Sequence, residues 1–274
     1  MGTRKAATLW ALVWLLGAVG ARAEEPGART LPAGIEVARH INARDDGTQV
    51  TRTLEMVLVD KRGGSRERTA RVLRRWFGKE KRLALFYLSP ATIRDTAFLV
   101  YDYPEPDRDD AQWLYLPALR KTRRIAARDR GKNFLGTDMS YEDMKNETRV
   151  AIDDYRWKTL REEACGAARC LVVEARPVDE ETANEIGYQR ITYWVDPEIW
   201  IARRAVYEDL AGRKKKTATL SEIRQVDGIW TVHRIEVVNH LSGHRTIFTS
   251  EDVDYASEIP EDWFTERALR RGVR

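Results

Sequence analysis

Beyond residue 23 the chain has no apolar run approaching the roughly twenty residues of a membrane-spanning helix. It also lacks the short signatures of common chemistry. There is no G-x-S-x-G elbow, no H-E-x-x-H pair and no glycine-rich phosphate loop. Serine hydrolase, zinc peptidase and nucleotide-dependent chemistry therefore have no footing in it. No internal repeat with a fixed motif is visible. Cysteine is scarce, with two residues, and histidine nearly so, with four. Charge of one sign is missing as well, because 47 Lys and Arg face 43 Asp and Glu.

The one long apolar stretch is at the start, in MGTRKAATLWALVWLLGAVGARA. Arg4 and Lys5 form a positive n-region, and Ala6 to Val19 an apolar core too short to span a bilayer. Ala21-Arg22-Ala23 is a small-x-small cleavage site. The pattern predicts a signal peptide over 1–23, removed at Ala23/Glu24, and export to the periplasm. Ala23 is not followed by cysteine, so a lipid-modified signal is not expected. Losing Arg4, Lys5 and Arg22 lowers the basic excess from four to one. The sequence pI near 9.0 therefore does not point to nucleic acid.

Cys165 and Cys170 lie in CGAARC, across a glycine-containing turn. In an oxidising compartment they predict a disulfide at a hairpin end. A redox or metal pair is the alternative. It lacks the C-x-x-C spacing, and no further cysteine is available.

Residues 24–34 (EEPGARTLPAG) read as a flexible start, and Ile35 to Ala43 as a short amphipathic helix. The period then changes to two. Strands are expected at Gln49–Lys61, Arg66–Phe77, Arg82–Leu88, Ala97–Tyr103, Gln112–Leu116 and Arg120–Ala126. Residues 128–147 break the pattern, with Ser140 placed to cap a short helix over Tyr141 to Met144. Strands resume at Val150–Glu163, Cys170–Ala175, Tyr188–Val195, Ile201–Tyr207, Lys214–Gln225, Ile229–Asn239 and His244–Tyr255. Asp227-Gly228 is the strongest two-residue hairpin signal. A short helix over Asp262–Leu269 closes the chain. Strands about ten residues apart with little helix between them predict a mainly β fold, one antiparallel meander curling into a barrel or half-barrel.

No catalytic constellation emerges. His233 and His240 are seven residues apart, so a regular strand turns them to opposite faces and gives no metal site with His244. Asp138, Glu142 and Asp143 cluster in the irregular segment. They suit helix capping and loop hydrogen bonds better than acid–base work on an envelope lipid. Basic clusters at 120–130 and at Arg213 to Lys216 read as solvated strand faces and hairpin tips, or as contacts for anionic headgroups. The bulky strand residues, Trp76, Phe86, Trp113, Tyr115, Trp157, Trp194 and Trp230 among them, leave two uses for a concave face. It is filled by its own side chains, or it holds an apolar ligand.

Two stretches carry a resemblance. One is Trp113-Leu114-Tyr115-Leu116-Pro117-Ala118-Leu119-Arg120-Lys121, followed by Arg123-Arg124-Ile125. The other is Asn133-Phe134-Leu135-Gly136-Thr137-Asp138-Met139-Ser140-Tyr141-Glu142-Asp143. Together they resemble the outer-membrane lipoprotein-sorting protein family, a LolA/LolB-like group often associated with RND-type exporters. Ser89-Pro90, Thr96-Ala97-Phe98-Leu99, Tyr193-Trp194-Val195-Asp196 and Phe264-Thr265 support it over about residues 35–270. Asp95 and Met139 depart from the glycine and the aromatic expected there.

The resemblance implies a single LolA-like carrier domain over 35–274. It would be an unclosed antiparallel β-barrel with short helices as a lid over an apolar concavity. It implies a non-enzymatic periplasmic carrier of lipid or lipoprotein acyl chains, without cofactor or metal. An RND-type transporter in the inner membrane is a further partner it suggests. The alternative is an accessory subunit of such an exporter without a cargo of its own. Phe86, Phe98, Trp113 and Tyr115 are the expected apolar lining. Gly136, Asp138, Ser140, Tyr141, Glu142 and Asp143 are the expected lid or partner loop. Nucleic acid is not an expected partner, and the expected state is a monomer.

Overall fold

The computed structural model describes residues 30–105, 108–166 and 168–273. The predicted leader, its cleavage site and residues 24–29 of the start segment lie outside the described residues. Leu31–Arg274 forms one compact unit. No helix among the described residues is long and apolar enough to cross a membrane.

Among the described residues the period-two segments become thirteen strands in two meanders. The first contains β1 (Gln49–Val59), β2 (Ser65–Phe77), β3 (Glu80–Ser89), β4 (Ala97–Asp102), β5 (Ala111–Leu116) and β6 (Lys121–Arg124). The second contains β7 (Tyr155–Cys165), β8 (Ala168–Pro177), β9 (Arg190–Asp196), β10 (Ile201–Glu208), β11 (Lys214–Val226), β12 (Ile229–Asn239) and β13 (Arg245–Asp254). Pairing of β1 with β13 joins them into one antiparallel sheet, ordered β6-β5-β4-β3-β2-β1-β13-β12-β11-β10-β9-β8-β7. The sheet is not closed. β6 and β7 follow each other in sequence yet occupy its two opposite edges. The chain joining them must therefore cross from one edge to the other.

Alternation decides what each face buries. Leu54, Met56 and Leu58 of β1, Leu83, Leu85 and Tyr87 of β3, and Phe98 and Val100 of β4 share one core with Tyr207 of β10 and Phe248 of β13. Residues from both meanders meet in that core because the sheet curls around it. The intervening positions, Leu73, Ala84, Phe86, Ala97, Leu99 and Tyr115, form a second core on the outer face. The C-terminal segment covers it through Ile259, Phe264 and Leu269.

Among the described residues four short helices accompany the sheet: α1 (Gly34–Ala43), α2 (Tyr141–Asn146), α3 (Glu180–Ile186) and α4 (Glu266–Arg271). α1 lays Val37, Ala38 and Ile41 against Leu171, Val173 and Val195. The predicted C-terminal helix is divided. A 3-10 turn at Glu261–Trp263 precedes α4, whose start Thr265 caps by accepting from the Ala268 amide at 3.1 Å. α3 has only Ile186 buried, too little apolar periodicity to be read from sequence. Residues 150–154 are not strand, and Val150 is bonded instead by the Asn42 side chain of α1. The Asn42 amide donates to the Val150 carbonyl at 2.8 Å, and the Val150 amide donates back to Asn42 Oδ1 at 3.0 Å.

Two turns match their sequence signals. Asp227 and Gly228 both have positive φ (51° and 82°), the geometry a type I′ hairpin requires. Cys165 and Cys170 form a disulfide across the β7–β8 turn, with Cα atoms 5.8 Å apart.

A plug in the concave face

The segment joining β6 to β7 fills the concave face of the sheet. Its first anchor is a tight loop. Leu135 and Gly136 both adopt positive φ (47° and 83°), so the chain reverses and the Phe134 amide donates to the Met139 carbonyl at 2.7 Å. Arg68 of β2 holds the loop from outside, donating to the Leu135 carbonyl at 2.7 Å. The reversal points Phe134 inward, where it is fully buried. Its ring sits 5.0 Å from Phe98 and 5.3 Å from Tyr141.

α2 follows and is too short to be stable alone. A capping box starts it. Ser140 Oγ accepts from the Asp143 amide at 3.1 Å, and Asp143 Oδ2 accepts from the Ser140 amide at 2.6 Å. The rest of its stability comes from polar anchors on both halves of the sheet. Asp143 is paired with Lys216 of β11, and the Tyr188 hydroxyl donates to the same carboxylate at 2.9 Å. Lys216 also donates to the Asp138 carbonyl at 2.9 Å. Asp138 accepts from Thr246 at 2.7 Å and lies 2.5 Å from His244 Nδ1. On the other side Lys145 pairs with Glu142 at 2.6 Å and with Asp110 at 2.5 Å. Lys81 of β3 donates to the Lys145 carbonyl at 2.8 Å. Glu147 then pairs with Arg52, and Arg149 with Asp46 at 2.7 Å.

These charges are buried, and their protonation follows from their partners. Burial pushes the Asp143 carboxyl up, but the Lys216 ammonium and the Ser140 hydrogen bonds outweigh it and hold the group below its ordinary range. Glu147 is lowered in the same way, burial being overcome by Arg52 and Arg74. Glu142 goes the other way. Burial wins over Lys145 and raises it, and its Oε2 has no hydrogen-bond partner among the described residues. Lys145 is raised, because Glu142, Asp102 and Asp110 overcome its burial.

A pH dependence follows. A carboxyl lowered by folding stabilises above its unfolded pKa and ceases to do so as pH falls through its folded value. Asp143 and Glu147 therefore hold the plug fully at neutral pH and release it on acidification below about pH 4. Glu142, being raised, opposes this by favouring the protonated fold. Thermal melts should give a Tm that falls below about pH 4, after any rise that protonation of Glu142 brings at higher pH. A Tm rising through that lower window would contradict the pairing.

Among the described residues, two of the voids beside the plug are both bordered by Met139, Asp143, Asn146, Glu147, Thr148 and Arg149. One, of about 100 Å³, faces Leu54, Val72, Leu83, Leu85 and Phe248. The other, of about 50 Å³, faces Tyr155, Ile191, Tyr193, Tyr207 and Ala218. α2 and the residues after it thus form a partition across one apolar interior.

The predicted lid residues come together in this plug. Gly136 makes its turn, Tyr141 enters its core, and Asp138, Ser140, Glu142 and Asp143 anchor it. The predicted lining is corrected for three residues of four. Phe98 faces the concavity, beneath Phe134 and Tyr141. Phe86 and Tyr115 belong to the outer core, and Trp113 packs against it. Strand alternation is the reason, since Phe86 and Tyr115 sit one residue out of phase with inward Leu85 and Leu114. Lys216, read as part of a solvated tip, is fully buried. The missed signal was its phase, because Lys216 precedes Ala218 and Leu220 on the inward face of β11. Tyr188 and Lys145 were also missed.

A family model described as an uncharacterized protein matches residues 78–271. The fold is similar to an outer membrane lipoprotein-sorting protein domain from Vibrio parahaemolyticus, at 28% identity and TM-score 0.79, covering 87% of this chain and 98% of that one. It is also similar to a DUF1329 family protein from Desulfovibrio piger, at 26% identity and TM-score 0.80, covering 86% and 97%. A LolA superfamily protein from Nitrosomonas europaea shares the fold at 17% identity and TM-score 0.67, covering 87% and 100%. No curated protein matches the chain.

Proposed function

We propose that this chain, which belongs to the family whose model matches residues 78–271 and has the fold of an outer membrane lipoprotein-sorting protein domain, is a periplasmic carrier holding the acyl chains of a lipid or lipoprotein where its plug now lies. The carrying observation is how the concave face is filled. A β-barrel of this size can fill its interior from its own strands. Here the filling is a separate segment, fixed by ion pairs that exchange readily with water once opened. Beneath it lie inward residues such as Leu54, Leu85, Phe98 and Phe248. An acyl chain entering that space gains about 0.8 kcal/mol per buried CH₂. A chain of twelve or more carbons thus supplies on the order of 10 kcal/mol, enough to offset displacement of a short helix. Asp138, Glu142 and Asp143 hold the plug in this account and perform no covalent chemistry.

The filled interior favours a second reading, an accessory subunit of an RND-type exporter that carries no lipid. One experiment separates them. Protein purified gently from its own periplasm is analysed by native mass spectrometry and lipid extraction. The carrier reading expects a stoichiometric lipid or lipopeptide. A protein that is reproducibly empty, and takes up no fluorescent acyl probe, supports the accessory subunit instead.

A further inference from the structure

The antiparallel order places every second hairpin turn at the same end of the sheet. Starting from β6, that end carries the β5–β6, β3–β4, β1–β2, β12–β13, β10–β11 and β8–β9 connections, six neighbours in a row, the sixth holding α3. Six large apolar residues are exposed among the described residues. Four of them are on this one end: Leu119 in the β5–β6 turn (63% exposed), Leu88 at the end of β3, Leu241 in the β12–β13 turn and Leu210 in the β10–β11 turn. Scattered singly, exposed leucines need no explanation. Four on the connections of one rim do.

The same turns are basic. Lys61 and Arg62 occupy the β1–β2 turn, Arg120 and Lys121 follow Leu119, and Lys214 and Arg245 follow the Leu210 and Leu241 turns, all exposed. The opposite end carries exposed acids, among them Glu105, Asp109, Asp227, Glu258 and Glu261, with Lys79, Arg108 and Arg169 between them. A chain of almost balanced charge is thus polarised along its strands. On the leucine rim, Asp60, Asp95 and Asp209 stand singly among the cations, and acids cluster at α3, beyond the fifth turn.

We propose that this rim docks on an anionic lipid membrane, with Leu119, Leu210 and Leu241 entering the interface and the neighbouring Lys and Arg side chains meeting headgroup phosphates. Leucine tips alone fit any apolar surface. Leucines alternating with cations fit a surface that is apolar within and negative at its face. The acidic opposite end is repelled by such a surface, so the field also sets the orientation. The rim is linked to the plug, because His244, in the Leu241 turn, contacts Asp138. The proposal is independent of the carrier reading, since it concerns the outer tips and not the interior.

The test uses residues 24–274, which contain the whole compact unit, and vesicle flotation. Vesicles are phosphatidylcholine alone or with about one third phosphatidylglycerol, at low and at physiological salt. The wild-type protein should float with the anionic vesicles, weakly or not at all with the neutral ones, and less as salt rises. Leu119→Ser, Leu210→Ser and Leu241→Ser combined should lower the bound fraction on the order of ten-fold or more. Because these residues are exposed, Tm and uptake of a soluble acyl probe should be unchanged. Replacing Asp227 and Glu261 at the other end with Asn and Gln should leave flotation unaltered. Equal binding to neutral vesicles, no binding, or binding that survives the triple substitution overturns the proposal. So does capture of an acidic protein by the rim without vesicle binding.

Discussion

Lys216→Ala will cost about 3–5 kcal/mol, because it strands the Asp143 carboxylate without its cation in a fully buried site. Three hydrogen bonds from Ser140 and Tyr188 remain, but none brings a compensating charge. Replacing both partners, with Asp143→Asn and Lys216→Met, should recover most of the loss, since a buried pair exchanged for neutral groups of similar volume is often close to neutral. Denaturant unfolding measures both. The location of the damage matters as much as its size. Lys216 anchors the plug, so the single variant should open residues 133–147 to amide exchange well before the sheet unfolds. Equal losses in the single and double variants would show that the ion pair is not what fixes the plug.

Phe134→Ala, with or without Tyr141→Ala, should weaken the fold and strengthen acyl binding together. Truncating a fully buried phenylalanine costs about 3–5 kcal/mol. In an ordinary core that loss would fall on every functional state. In the proposed carrier it falls on the closed state, and the ring is withdrawn from the open state that would receive an acyl chain. Apparent affinity scales with the population of the competent state, so each 1.4 kcal/mol lost by the closed form gives up to a ten-fold gain in binding. Phe86→Ala is the control. Phe86 is as buried but lies in the outer core against Trp263, 5.9 Å away, so it should lose comparable stability and gain no affinity. A fluorescent acyl probe titrated against the three proteins reads the difference. Weaker binding by the Phe134 variant would mean that its ring belongs to the bound state.

Period-two alternation made the strands legible, and glycine turns set most of their ends. What stayed hidden was the phase of each strand relative to the core. Phe86 and Leu85, or Tyr115 and Leu114, are adjacent, apolar and buried on opposite faces, and the sheet is apolar on both because the C-terminal segment covers β3 to β5 from outside. With two buried faces, hydrophobicity no longer tells inside from outside. The helix at Tyr141 was readable from Ser140 and Asp143, since a cap is a local device. The role of Asp143 was not, because Lys216 is 73 residues away and meets it only once β11 has taken its place. The pairing of β1 with β13, which puts β6 and β7 at opposite edges and sends their connection through the interior, also has no local signal.

In the proposed carrier, acyl chains and the plug compete for one space. Amide hydrogen exchange over residues 133–147 should show it, measured with and without a saturating acyl ligand. The ligand should deprotect this segment while Leu83 to Phe86 and Ala97 to Val100 stay as protected as before or more so. A ligand that binds with the plug still protected would place the acyl site elsewhere and rule out the competition.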